Sequence, residues 1–256
     1  MNLMAVPWPE TLAPRFTSGA RVTRPSPDLW RLEIPAGPAG RYRLAQLDDY
    51  ASRPRSRLPW RPPFTLALRA RASAASLPGT WGFGLWNDPF GFSLGYGGNQ
   101  RLPALPNTAW FFYASPENYL SLRDDLPANG SLAAAFRSPH WPAWRYLLAA
   151  LLLPLLALPP MVRLARRLGR RYVQQDAAAL ALDPADWHTY RLDWDANQVT
   201  FTMDGQAKLQ TSVAPRQPLG LVLWIDNQYA ALPPNGRLAY GTLSNPEPAW
   251  IEIEAM

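Results

Sequence analysis

Two short clusters carry the residue types best suited to recognition chemistry. Trp86-Asn87-Asp88 sets an indole beside an amide and a carboxylate, and Trp224-Ile225-Asp226-Asn227 repeats the combination further along the chain. An indole face stacks on the apolar face of a pyranose, while Asn and Asp exchange hydrogen bonds with its hydroxyls. Trp81 and Trp110 lie on nearby apolar segments and extend the candidate ligand-binding set to Trp81, Trp86, Asn87, Asp88, Trp110, Trp224, Asp226 and Asn227. The competing reading is that these tryptophans are core residues. Other chemistry is poorly supported. Gly91-Phe92-Ser93-Leu94-Gly95 matches the spacing of a nucleophile elbow, but an elbow needs a helix after the serine, and Pro103 and Pro106 follow instead. His140 and His188 are the only histidines and there is no cysteine, so neither a zinc site nor a thiolate nucleophile is expected, and no cofactor. Glu117, Asp124 and Asp125 fall in predicted loops, where capping and solvation account for acids.

The elements that must position these clusters read as strands. In the run from Trp187 to Gly205, Tyr190, Leu192 and Trp194 alternate with Arg191 and Asp193, and Val199, Phe201 and Met203 alternate with Thr200 and Thr202. That is the period of half-buried strands. Asp195 to Asn197 makes the turn between them, and Asp204-Gly205 reverses the chain again. Phe64 to Arg71 alternates in the same way. Further strands are expected over 30–34, 41–47, 81–86, 91–96, 109–113, 219–225 and 249–254. The Pro- and Arg-rich stretch 53–63 reads as a surface loop, and 29 Pro and 16 Gly suit many short strands joined by turns.

Trp187-His188 with Tyr190, Asp193-Trp194 and a strand closed by Asp204-Gly205 together resemble the late strands of the laminarinase-type (family 16) glycoside hydrolases. Gly84-Leu85-Trp86, the Pro218 to Trp224 element and the closing Trp250 to Glu254 strand fit the same order. The resemblance covers roughly 64–254. It implies an all-β concanavalin A-like jelly-roll sandwich with a carbohydrate-binding cleft. It also implies a catalytic strand bearing Glu-x-Asp-x-Glu, whose alternate side chains enter the cleft together. Retaining chemistry needs two carboxylates about 5 Å apart. The corresponding strand lies near 107–114. One of its faces holds Thr108, Trp110, Phe112 and Ala114, and the other Asn107, Ala109, Phe111 and Tyr113. Neither register offers a carboxylate. The expectation is therefore a non-catalytic binder of a glycan or glycolipid. The alternatives are a divergent glycoside hydrolase or lipid-acting hydrolase using carboxylates elsewhere, and an adaptor whose cleft is filled by its own side chains.

One domain is expected over 1–256, interrupted between late strands by a helical insertion over 138–178. Its apolar run, 146–158, is bounded by Arg145 and the Pro159-Pro160 pair. Even carried to Val162 it reaches only about 25 Å as a helix, against a hydrocarbon core of about 30 Å. A single span would also part strands that belong to one sandwich. Beyond it, Arg163, Arg166, Arg167, Arg170 and Arg171 recur at helical spacing and read as one basic face. Together with Trp141, Trp144, Leu148, Leu152 and Leu155 they suggest an in-plane contact with an anionic membrane, the other reading being a helix packed on the sandwich or a partner. The net charge is +6, nearly all arginine. With no basic groove interleaved with aromatics, a nucleic-acid partner is not expected. No secretory signal opens the chain, so the expected location is the cytoplasmic side of a membrane, held peripherally.

Overall fold

The computed structural model describes residues 12–89, 101, 104–142, 144–145 and 153–256. Two seven-stranded antiparallel sheets pack face to face as a β-sandwich. The first sheet has the order β1 (Ala13–Phe16), β4 (Leu44–Asp48), β13 (Gly220–Asp226), β6 (Thr80–Trp86), β7 (Thr108–Ala114), β8 (Gly130–Arg137) and β9 (Gln174–Ala179). The second has the order β12 (Gln206–Thr211), β11 (Val199–Met203), β10 (His188–Trp194), β5 (Phe64–Ala72), β16 (Ala249–Ala255), β3 (Leu29–Ile34) and β2 (Arg21–Ser26). A small ribbon pairs β14 (Gln228–Ala231) with β15 (Ala239–Thr242).

The period-2 segments fold as their pattern dictates. Phe64, Leu66, Leu68, Ala70 and Ala72 of β5 are buried, while the residues between them are only half-buried. β10 pairs with β11 from Tyr190 opposite Met203 to Trp194 opposite Val199. Asp204 and Gly205 take φ of 49° and 75°, the conformation a two-residue hairpin turn requires. Between the sheets, Tyr190 packs edge-on against both Phe83 and Phe111 at 5.0 Å, and Phe111 meets Phe201 at 5.2 Å. The segment 91–96, with Ser93, lies outside the described residues. The expected surface loop 53–63 is corrected in part: it holds a 3-10 turn at Arg55–Arg57, buries Leu58 and pairs Trp60 with Leu219 in an antiparallel bridge.

β1, β2, β8, β9, β12, β14 and β15 are not among the strands the sequence pattern predicts. β8 reads Ser131-Leu132-Ala133-Ala134-Ala135-Phe136, and alanine disfavours strands. Pairing with β7 along its whole length overrides that preference. β9 returns opposite β8, with Gln174 against Arg137. The insertion is thus the connection of one antiparallel pair, and its expected end at 178 moves back, because β9 begins at Gln174.

Within the insertion, the helix expected for the apolar run 146–158 is corrected over its described end. Leu153–Ala157 is a 3-10 turn, and helix α1 (Pro159–Tyr172) starts at the Pro pair. Proline suits a first turn because its missing N–H has no partner there anyway. The stretch 146–152, with Leu148 and Leu152, lies outside the described residues. Among the described residues, no helix is long and apolar enough to cross a membrane.

The single basic face is corrected too. Val162 and Arg166 are the buried residues of α1. Arg166 donates to the carbonyls of Ser121 (2.8 Å), Leu122 (3.0 Å), Arg123 (3.3 Å) and Leu232, and to the Asp124 carboxylate (2.7 Å). Its guanidinium also lies over the Tyr119 ring, 5.2 Å from the centroid. Arg170 adds a 2.6 Å bond to the Leu122 carbonyl and an ion pair with Asp124. These two arginines hold the Asp124 carboxyl below its usual range. Gly169 lets the helix close on Leu122, where an added Cβ would sit 3.3 Å from Cδ1. Arg163, Arg167 and Arg171 remain exposed.

A buried carbonyl left without its donor costs about 1–3 kcal/mol. Arg166→Met is therefore expected to release α1. Limited proteolysis should cut the variant within 153–173 far faster than the wild type, with the β-sheet circular-dichroism signal retained; equal cleavage rates would show that α1 is held by other contacts.

Candidate functional site

The first sheet is apolar on both faces, and its outward face is built in cross-strand rows. One row reads Leu44, Asp226, Thr80, Ala114. The next reads Arg15, Gln46, Trp224, Gly82, Phe112, Leu132. The third reads Asp48, Val222, Gly84, Trp110, Ala134, and the last Gly220, Trp86, Thr108, Phe136. Two glycines make room for the indoles. A Cβ on Gly82 would lie 2.8 Å from the Trp224 ring, and one on Gly84 would lie 2.7 Å from the Trp110 Cβ.

Trp86, Trp110 and Trp224 consequently gather into one half-buried cluster. Trp110 lies 5.4 Å from Trp224 and 5.9 Å from Trp86, and Trp86 is parallel to Trp224 at 6.4 Å. Own side chains cover the two flanks. Tyr50 and Leu58 pack beside Trp86 and Val222, and Leu105, Leu120, Leu122, Leu126 and Val173 pack over β7 and β8. Half-buried Trp224 lies between these flanks and packs against both.

A hydrogen-bond chain fixes Trp224. Trp224 Nε1 donates to Thr80 Oγ1 at 2.9 Å, and the Thr80 hydroxyl donates to Asp226 Oδ1 at 2.9 Å. The Gln228 N–H reaches the same oxygen at 3.2 Å, and the Tyr42 hydroxyl lies 3.4 Å from Oδ2. Burial pushes the Asp226 carboxyl up to about 7, and these hydrogen bonds offset only part of that rise. Burial likewise lifts Asp49 to about 6, although it accepts bonds from the Leu221 N–H (2.9 Å) and Trp60 Nε1 (2.5 Å). Trp110 Nε1 is buried without a hydrogen-bond partner among the described residues.

Four of the expected ligand residues belong elsewhere. Trp81 is corrected to a core residue, facing the second sheet with its ring stacked on Tyr113 at 6.0 Å. Odd-numbered positions of β6 point inward, so Trp81 and Trp86 cannot share a face. Asn87 closes the end of β6 on the start of β7, donating to the Leu105 carbonyl (2.9 Å) and accepting the Asn107 N–H (3.0 Å). Asp88 is buried at φ 49° and paired with Arg101 at 3.1 Å. Asn227 accepts the Arg43 N–H and donates to the carbonyls of Arg41 and Leu243. All three lie just beyond a strand end, Asn87 and Asn227 with their amides turned to backbone and Asp88 with its carboxylate on Arg101. Gln46, Thr80, Tyr42 and Arg15, which the structure adds, were missed. For Gln46 a signal existed, since it occupies a polar phase of the alternating run 41–47.

The acids on this face are few and far apart. β7 presents Trp110 and Phe112 outward and Phe111 and Tyr113 inward, so no carboxylate stands on this strand in either direction. Asp48 and Asp226 do share the outward face, on β4 and β13. Two rows separate them, about 13 Å at roughly 3.3 Å per residue. Glycosidic carboxylate pairs stand about 5–9.5 Å apart. Among the described residues, no group of three or more His, Asp or Glu is placed to hold a metal. His188 is occupied at the start of β10, 2.7 Å from Asp204 and 3.1 Å from the Asp183 carbonyl.

No protein-family model and no curated protein matches this chain. Among solved structures it is similar to a glycoside hydrolase family protein from Mycobacterium thermorestibile, with 12% identity, a TM-score of 0.45, and 98% of this chain and 95% of that one covered. It is also similar to a family 16 endo-glucanase from Bacteroides ovatus, at 11% identity and a TM-score of 0.44 over 96% and 94% of the two chains. The carbohydrate recognition domain of Emp46p aligns at 13% identity and a TM-score of 0.43 over 95% and 87%.

The buried Asp226 has a consequence for stability. The native state keeps a proton that the unfolded chain, with an ordinary aspartate of 3.8, gives up. Stability therefore falls as pH rises from about 4 to about 7, by at most about 1.4 kcal/mol per pH unit for one proton. Asp226→Asn cannot ionise, and its urea midpoint is expected to fall less than that of the wild type across this window. Parallel curves for the two proteins would show that Asp226 titrates normally.

Proposed function

We propose that the outward face of the first sheet binds a glycan without cleaving it. The half-buried cluster of Trp86, Trp110 and Trp224 carries this reading. The half-buried indoles offer faces for stacking, and the polar side chains of Thr80 and Gln46 stand beside them on the same sheet face. The separation of the two acids on this face supports a binder over a hydrolase. In calorimetric titrations against a glycan panel, Trp224→Ala is expected to weaken binding at least tenfold while shifting the melting temperature little. Equal loss of binding and of folding would reduce the cluster to a second core.

We also propose that α1 rests this domain on an anionic membrane, which would favour a glycolipid headgroup as the glycan. Leu164, Leu168 and Tyr172, spaced by four, are exposed on α1, with Leu158, Leu155 and Trp144 exposed nearby. Arg163, Arg167 and Arg171 form a parallel exposed stripe at the neighbouring positions. Apolar and basic stripes side by side complement acyl chains and lipid phosphates at one surface. Leu164→Glu with Leu168→Glu should abolish sedimentation with anionic vesicles and leave the fold intact. Vesicle binding unchanged in that variant would dismiss the membrane contact.

A further inference from the structure

The row that holds Trp224 continues through Gln46 to Arg15 on the edge strand β1. Residues in register across a sheet share a face, so Arg15 lies two strand spacings from Trp224, about 10 Å. Its guanidinium comes no nearer than 3.7 Å to the Asp48 carboxylate, beyond hydrogen-bond reach, with the side chain 32% exposed. Among the described residues it has no hydrogen-bond acceptor. Asp48 is satisfied without it. Gln46 Nε2 donates to Asp48 Oδ2 at 2.7 Å, and the N–H groups of Tyr50 (3.2 Å) and Ala51 (2.8 Å) donate to Oδ1. Attraction to Asp48 thus holds the guanidinium against the face with its donors unused by the described residues.

We infer that the bound glycan is acidic, and that Arg15 grips a carboxylate or sulfate on the sugar unit next to the one stacked on Trp224. This rests on the glycan reading above and names its ligand class. The planar guanidinium fork matches both groups through paired N–H bonds, a geometry that a neutral hydroxyl does not use. Asp226, in the neighbouring row, is buried, and its carboxyl is bonded to Thr80 and Gln228. Arg15 stands on an exposed edge strand, where a substitution leaves the core untouched.

The test is calorimetric titration of the full chain with three hexasaccharide sets: neutral β-glucans, uronates and sulfated galactans. At least one acidic set is expected to bind roughly ten- to a hundredfold tighter than the neutral set, the range for hydrogen bonds to a charged group. Arg15→Gln should bring that set down to the neutral affinity, and Arg15→Lys should recover part of the difference. Which acidic set responds separates carboxylate from sulfate recognition. If neutral and acidic sets bind alike, and Arg15→Gln changes nothing while Trp224→Ala still weakens binding, the anionic assignment fails and the glycan reading stands. If no set binds, the glycan reading fails and the assignment falls with it.

Discussion

The first sheet is apolar on both faces, and water must be kept from each of them. Its inner face meets the second sheet through Phe83, Phe111 and the inward residues of β13. Its outer face carries Phe112, Leu132, Phe136, Val222 and the three indoles, more apolar area than a sheet open to solvent normally shows. Covering this second face requires structure outside the sandwich. The loop bearing Leu120, Leu122 and Leu126 covers one flank, and Tyr50 with Leu58 covers the other. Trp224 sits where the two covers meet, packed against both and still half-buried, and the candidate site is centred there.

The insertion follows from the same need. It leaves the sheet after β8 and returns at β9, so its ends are neighbours and its middle can fold back over the outer face. Val173 contributes directly to the outer apolar cluster. Arg166 fastens the helix through backbone carbonyls of the covering loop, which ties helix and loop into one unit. A buried arginine is costly unless its donors are used, and here several carbonyls and a carboxylate accept them. The helix can then expose leucines and arginines together on its other side without loosening from the domain.

Around the indoles, the polar groups are graded by how completely they are used. Asn87, Asp88 and Asn227 serve the ends of strands and have nothing left to offer. Asp226 is an intermediate case, bound to Thr80 and Gln228 yet so buried that its ionisation is displaced towards neutrality. Arg15 is at the other extreme, a cation whose nearest acid is already satisfied by other donors. The gradient runs from strand ends to sheet edge.

The period-2 runs from Phe64 to Arg71 and from Tyr190 to Met203 determined the meander by themselves, because alternation specifies which side of each strand is wet. The absence of carboxylates near 107–114 was equally a property of the sequence, since it held in both possible registers. The strands β8 and β9 were not legible, because their alanines acquire strand geometry only from pairing with β7. Trp81 and Trp86 lie five residues apart on one strand, so period alone puts them on opposite faces, but the sequence could not say which of them faces inward. Both are tryptophans in an apolar run, and only the sheet stacked on one side of β6 decides which is core and which faces outward. The same holds for Arg166 among its neighbouring arginines: helical spacing places them together, and the carbonyls of a loop more than forty residues away in the chain select the one that turns inward.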